Sequence, residues 1–281
     1  MSPAVLPLSA LPIRGYDLVA MTSFEESATC LLPDAPGLWC QQRRAEISGQ
    51  DPLPALFLDR DGVIVEEVKY LHRVEDVRLI AGVDKIIATC NENNIPVVLV
   101  TNQSGVGRGL YGWAEFAAVQ DSITDALDPL GAHIDMVLAC AYHDQAQSQY
   151  KQLNHFWRKP NPGMFLEAEK RLKIDLSRSW IVGDQPSDIE AGRAAKLCGG
   201  VLVLSGQTSQ SGSTSARSSD GYRVRVAYSL AACRFLVGYM KVAKTIVDGS
   251  RKVNPVMDRE AYNKLKQDEK WVRKKLGLDS R

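Results

Sequence analysis

Short apolar runs alternate with helix-period segments along most of this chain, and that rhythm sets its architecture before any chemistry is considered. Ala55–Leu58 reads as a strand, followed by a charged loop of about twenty residues. Val83–Asn93 has the spacing of a helix. The unbroken run Pro96–Val100 suits a central strand buried on both faces. Trp113–Leu127 reads as a helix and Ile134–Ala139 as a strand. Asn161 and Pro162 open a further helix running to Lys173, since proline is tolerated in a first turn. Trp180–Gly183 (strand), Ser187–Lys196 (helix) and Val201–Leu204 (strand) continue the alternation. Residues 205–220, rich in Ser, Thr, Gly and Gln, read as a loop. Arg223–Val226 then forms an edge strand and Leu230–Lys244 a helix. The pattern predicts an α/β, Rossmann-like three-layer sandwich around a mainly parallel sheet, with the site at the strand C-termini.

The two ends do not share this rhythm. Residues 1–52 carry Pro3, Pro7, Pro12, Pro33 and Pro36 and read as an irregular N-terminal extension. The folded domain is expected over 53–240, and 241–281 reads as a charged, helix-prone tail. Apolar residues make up 45% of the 281 and charged residues 24%, enough for a sizeable core. A formal net charge of +1 gives no electrostatic case for nucleic acid or a membrane surface. The first twenty residues have no basic stretch before an apolar core, so no signal peptide is expected. The apolar stretch Val226–Val247 is broken by Arg234, Lys241 and Lys244, which suits a packed helix better than a membrane span. Six scattered cysteines without a CxxC pair favour reduced thiols in a cytoplasmic protein, and a monomer is the expected state.

Chemistry concentrates where strands end. Leu56-Phe57-Leu58-Asp59-Arg60-Asp61-Gly62 places two carboxylates at the first strand's end, and Gly62 permits a tight turn. Crowded anions there call for a divalent cation or a cationic ligand. Thr101 ends the second strand, followed by Asn102, Gln103 and Ser104. Arg158-Lys159-Pro160 precedes a helix, and Asp184 follows another strand with Asp188 one turn on. Carboxylates suit magnesium, whereas hydroxyl, amide and lysine groups suit phosphoryl oxygens.

The strings LFLDRDGVI, VTNQSGVGRG, RKPNPGM and IVGDQPSD resemble the haloacid-dehalogenase superfamily, and within it the heptose-bisphosphate and histidinol-phosphate phosphatases. The resemblance spans about residues 53–240 and implies a phosphomonoesterase with an aspartyl-phosphate intermediate. By that resemblance Asp59 is the nucleophile and Asp61 the proton donor and acceptor. Magnesium would be held by Asp59, Asp184 and the Asp61 carbonyl, with Asp188 orienting that shell. Thr101, Asn102, Gln103, Ser104 and Lys159 would hold the phosphoryl group. Arg158, Glu67 and Tyr70 would meet the rest of a small phosphorylated sugar, expected to be D-glycero-D-manno-heptose 1,7-bisphosphate hydrolysed at its 7-position. Histidinol phosphate, a polynucleotide 3′-phosphate, and a non-catalytic phosphate-binding scaffold are the alternatives. The short intervals between motifs leave no room for a large cap domain.

Two positions depart from the pattern. Related phosphatases often bind zinc through a CxH…CxC pattern; here the positions read Cys140, Tyr142, His155 and Trp157. Only Cys140, His143 and His155 remain as candidates, and no zinc is expected. Gln185 stands where the heptose enzymes commonly carry a lysine.

Overall fold

A computed structural model describes residues 30–43, 51–205 and 221–246. Eight strands among them form one sheet in the order β1-β2-β5-β4-β3-β6-β7-β8. The strands are β1 (Leu31–Leu32), β2 (Ala35–Gln42), β3 (Leu56–Leu58), β4 (Val97–Asn102), β5 (Met136–Cys140), β6 (Trp180–Gly183), β7 (Gly199–Val203) and β8 (Arg223–Ala227). From β5 to β8 every neighbouring pair is parallel. β2 joins β5 antiparallel, and β1 pairs antiparallel with β2.

The central strands are apolar without alternation because helices cover both faces, and the period of two sorts their side chains cleanly. Leu56, Leu58, Val97, Leu99, Val137 and Val182 face one layer, formed by α1 (Val83–Glu92), α3 (Trp113–Leu127) and α6 (Phe235–Ile246). Phe57, Val98, Val100, Leu138 and Ile181 face the other, against α4 (Gly163–Leu172) and α5 (Pro186–Ala194). The short α2 (Ser104–Gly107) follows β4 directly. Phe57 and Phe165 meet with ring centroids 4.8 Å apart across that second layer. Each large apolar side chain buried this way contributes about 1.5–3 kcal/mol.

The expected irregular N-terminal extension is corrected over residues 31–42, which add two strands to the main sheet. Pro36 sits at the start of β2, where the ladder tolerates proline, and Leu38, Trp39 and Cys40 are buried behind it. Strand β7 begins at Gly199 rather than Val201, and β5 is shifted to Met136–Cys140. β4 runs on through Thr101 and Asn102. The expected helix from Leu230 opens as a 3-10 turn before α6. Between Asp61 and Thr101 the chain holds only loop, a single 3-10 turn and α1, so no large cap covers the sheet there. The tail beyond 246, most of the loop 205–220 and the first 29 residues lie outside the described residues. Among the described residues no helix is long and apolar enough to cross a membrane.

Candidate active site

Strand β3 connects through α1 to β4 on one side of it, whereas β6 flanks it on the other. Sheets of this kind open a crevice at the C-terminal ends of strands where the order reverses. A cavity of about 510 Å³ lies there. Its lining includes every catalytic, phosphate, substrate and magnesium residue expected from the sequence: Asp59, Asp61, Glu67, Tyr70, Thr101, Asn102, Gln103, Ser104, Arg158, Lys159, Asp184 and Asp188.

Three carboxylates form the floor. Ligand atoms of Asp59, Asp184 and Asp188 lie within 4.8 Å of one another, and all three residues are buried. Gly183 makes this packing possible, because a Cβ there would fall 2.2 Å from Cβ of Asp188. Lys159 inserts its ammonium among them, 2.9 Å from Asp59 Oδ1 and 2.6 Å from Asp188 Oδ1, and donates to the Val100 carbonyl at 2.8 Å. Burial opposes the charge on Lys159, but Asp188 and Asp59 outweigh it and hold its pKa above the ordinary lysine value. Burial raises the Asp59 carboxyl to about 6 against the opposing pull of Lys159. Asp188 is likewise raised by burial. Its Oδ2 accepts from the Gln185 amide at 2.9 Å, which caps α5 and fixes the carboxylate in place. Gln185 itself donates from Nε2 to Asp184 Oδ2 at 3.0 Å.

The other wall is built around Asp61. Arg60 donates to it twice, from Nε to Oδ1 at 3.1 Å and from Nη2 to Oδ2 at 3.0 Å. Arg60 is completely buried, with its guanidinium 5.4 Å from the Phe116 ring centroid. Gln103 Nε2 donates to Asp61 Oδ2 at 3.2 Å and to Thr101 Oγ1 at 2.9 Å. Asn102 spends its side chain on the Lys159 backbone, donating to its carbonyl and accepting from its amide, each at 3.1 Å. It therefore ties the Arg158–Lys159 loop to the end of β4. Arg158 donates to the Tyr142 carbonyl at 3.3 Å, and burial lowers its pKa.

Sequence reasoning did not single out Arg60, Lys69, Tyr111 or Ser187. The last three line the cavity, and Arg60 braces it from behind. Nothing local marks Tyr111, which reaches Gln103 only through the fold. Arg60 had one available signal, its position between the two aspartates. At the rim, Arg108 donates to the Tyr70 hydroxyl at 2.9 Å, and Tyr70 adopts φ 58°.

The three zinc candidates are engaged separately. Cys140 is buried at the end of β5. His143 Nδ1 accepts from the Gln145 amide at 2.9 Å. His155 accepts from the Trp157 amide at 3.2 Å while its ring stacks on Tyr142, centroids 3.5 Å apart. The converging set of potential metal-ligating side chains among the described residues is the aspartate trio.

Comparison with known proteins agrees with this geometry. A HAD-hydrolase-like family model matches residues 156–227, which include Lys159, Asp184 and Asp188. The D-glycero-beta-D-manno-heptose-1,7-bisphosphate 7-phosphatase of Mesorhizobium japonicum is 46% identical over 168 residues, 60% of this chain and 77% of that protein. A HAD-like phosphatase structure from Mesorhizobium loti superposes with a TM-score of 0.66 at 40% identity, covering 74% of this chain and 94% of that one. The D,D-heptose 1,7-bisphosphate phosphatase of B. bronchiseptica, solved with magnesium and phosphate, superposes with a TM-score of 0.56 at 28% identity over 70% of this chain and all of that one. Fold, site geometry and these similarities together place the chain in the HAD superfamily of phosphatases, within the family of the D-glycero-beta-D-manno-heptose-1,7-bisphosphate 7-phosphatases.

Proposed function

We propose that this protein is a magnesium-dependent phosphomonoesterase that removes the 7-phosphate of D-glycero-beta-D-manno-heptose 1,7-bisphosphate. The observation that carries the chemistry is the convergence of three buried carboxylates and Lys159 on one cavity that also holds Asp61 and Thr101. The identity to the Mesorhizobium japonicum enzyme carries the substrate.

Asp59 attacks phosphorus in line with the departing sugar oxygen, forming an acyl phosphate as the ester P–O bond breaks. Asp61 delivers a proton to that oxygen, then takes one from the water that cleaves the acyl phosphate and regenerates Asp59. Thr101 donates to a non-reacting phosphoryl oxygen, and Lys159 neutralises charge beside it. The donor set fits a hard cation: the buried carboxylates of Asp59, Asp184 and Asp188 converge on one point, and carboxylate oxygens are the ligands such an ion prefers. Asp59, Asp184 and the Asp61 carbonyl would hold magnesium, with Asp188 orienting them. The ion would offset the phosphoryl charge that otherwise repels an anionic nucleophile. Arg158, Lys69 and Tyr70 at the mouth suit the remainder of a phosphorylated sugar.

Phosphate release with magnesium against heptose 1,7-bisphosphate in both anomers, fructose 1,6-bisphosphate, histidinol phosphate and a 3′-phosphorylated oligonucleotide tests the reading. The expected result is a kcat/KM for one heptose anomer at least about 100-fold above the other compounds. Preference for any other member of the panel would overturn the substrate assignment.

A further inference from the structure

Gln103 is 2% exposed and makes four hydrogen bonds, two through each end of its amide. Its Oε1 accepts from Arg60 Nη2 at 3.3 Å and from the Tyr111 hydroxyl at 2.5 Å. Its Nε2 donates to Asp61 and Thr101 at the distances given above. A guanidinium can only donate, so the oxygen end of the amide must face Arg60, and a flipped amide would set donors against donors. The polarity of the whole chain of bonds follows from that one constraint.

Two consequences reach the reacting groups. Thr101 accepts from Gln103, so its own hydrogen is left to donate elsewhere, and the cavity lies beside it. Arg60 grips both oxygens of Asp61 and Gln103 adds a donor to Oδ2, so the carboxylate is held at a fixed rotation. Tyr111 reaches this position because residue 105 is glycine: a Cβ there would lie 2.1 Å from Cε1 of Tyr111.

We infer that Gln103, oriented by Arg60 and Tyr111, is a positioning residue that sets the rotation of the Asp61 carboxylate and the donor direction of Thr101. This rests on the reading above that Asp61 handles the proton of the leaving oxygen. Gln103 does not touch the reacting atoms in this account. Its contribution is to hold Asp61 where proton delivery to a sugar oxygen is geometrically possible, and misplacement of such a group by an ångström is expensive in rate.

Leaving-group chemistry provides a readout that a merely structural residue would not move. A nitrophenolate departs without a proton, whereas a sugar alkoxide needs one. Both esters are measured as kcat/KM, which covers the steps through leaving-group expulsion. In the full-length protein with saturating magnesium, Gln103→Met should lower kcat/KM for heptose 1,7-bisphosphate about 100-fold. The loss for p-nitrophenyl phosphate should stay below about 10-fold. Tyr111→Phe, which removes one donor to Oε1 and keeps the ring, should shift the ratio in the same direction by about threefold. Asp61→Asn is the reference variant. If it discriminates between the esters and Gln103→Met and Tyr111→Phe do not, the positioning role is wrong and the assignment of Asp61 stands. If Asp61→Asn itself fails to discriminate, the reading beneath the inference is wrong. Should Gln103→Met fail to fold, the Tyr111→Phe ratio decides alone.

Discussion

Asp59 and Asp61 stand two residues apart at the end of one strand, yet they occupy opposite electrostatic settings. Asp59 sits in an anionic floor with Asp184 and Asp188, where a single lysine is wedged between two carboxylates. Asp61 sits in a wall of donors, gripped by Arg60 and Gln103, with its side chain 23% exposed. The first setting is short of positive charge and suits a cation and an anionic nucleophile beside it. The second has its charge balanced already and suits a group that must keep its geometry while protons pass. Two identical side chains are thus given different work by what other strands bring to them: β6 and α5 supply the floor, β4 and the loop before α3 the wall.

Removing the nucleophile breaks the comparison most severely. Asp59→Asn should lower kcat at least about 10⁴-fold on aryl and sugar phosphates alike, because no other group replaces the attacking oxygen. Lys159→Met attacks the floor through stability instead. It leaves Asp59 and Asp188 buried without their counter-ion, and should cost about 3–5 kcal/mol in urea unfolding measured without magnesium. Magnesium should return part of that loss if the same carboxylates take the cation. Asp61→Asn sharpens the contrast, with kcat/KM falling about 100-fold or more on the sugar ester and much less on p-nitrophenyl phosphate, although turnover of either ester is slowed at the second step. The mildest perturbation is Gln185→Lys, which supplies a cation where Gln185 now donates to Asp184. It should lower KM for the bisphosphate about threefold, within the range of a partly exposed charge pair.

Asp59 and Asp184 of the floor were legible in the sequence because each follows an apolar run, as Thr101 does across the cavity. The buried stretches Phe57–Leu58, Val97–Val100 and Trp180–Val182 mark strand ends, and the polar residue after each falls into the cavity by topology alone. The wall was only half legible. Arg60 was not singled out from the sequence, and its complete burial follows from pairing with Asp61 and lying against Phe116, a contact 56 residues away in sequence. Gln103 and Asn102 were expected to meet phosphate, but their hydrogen bonds go to protein groups that only the fold brings near. Strands β1 and β2 escaped for another reason. Pro33 and Pro36 read as marks of an irregular segment, and the pull of Leu38 and Trp39 into the core outweighs that local signal.

The difference between the two aspartates is tested most directly by trapping the phosphorylated residue. Asp61→Asn protein given p-nitrophenyl phosphate and magnesium should release nitrophenol in a burst and then stall, since the base for the second step is gone. Acid quench, borohydride reduction of the acyl phosphate and peptide mass spectrometry should then find homoserine at position 59. A reduced residue at 184, 188 or elsewhere, or a burst with no acyl phosphate at position 59, would contradict the account.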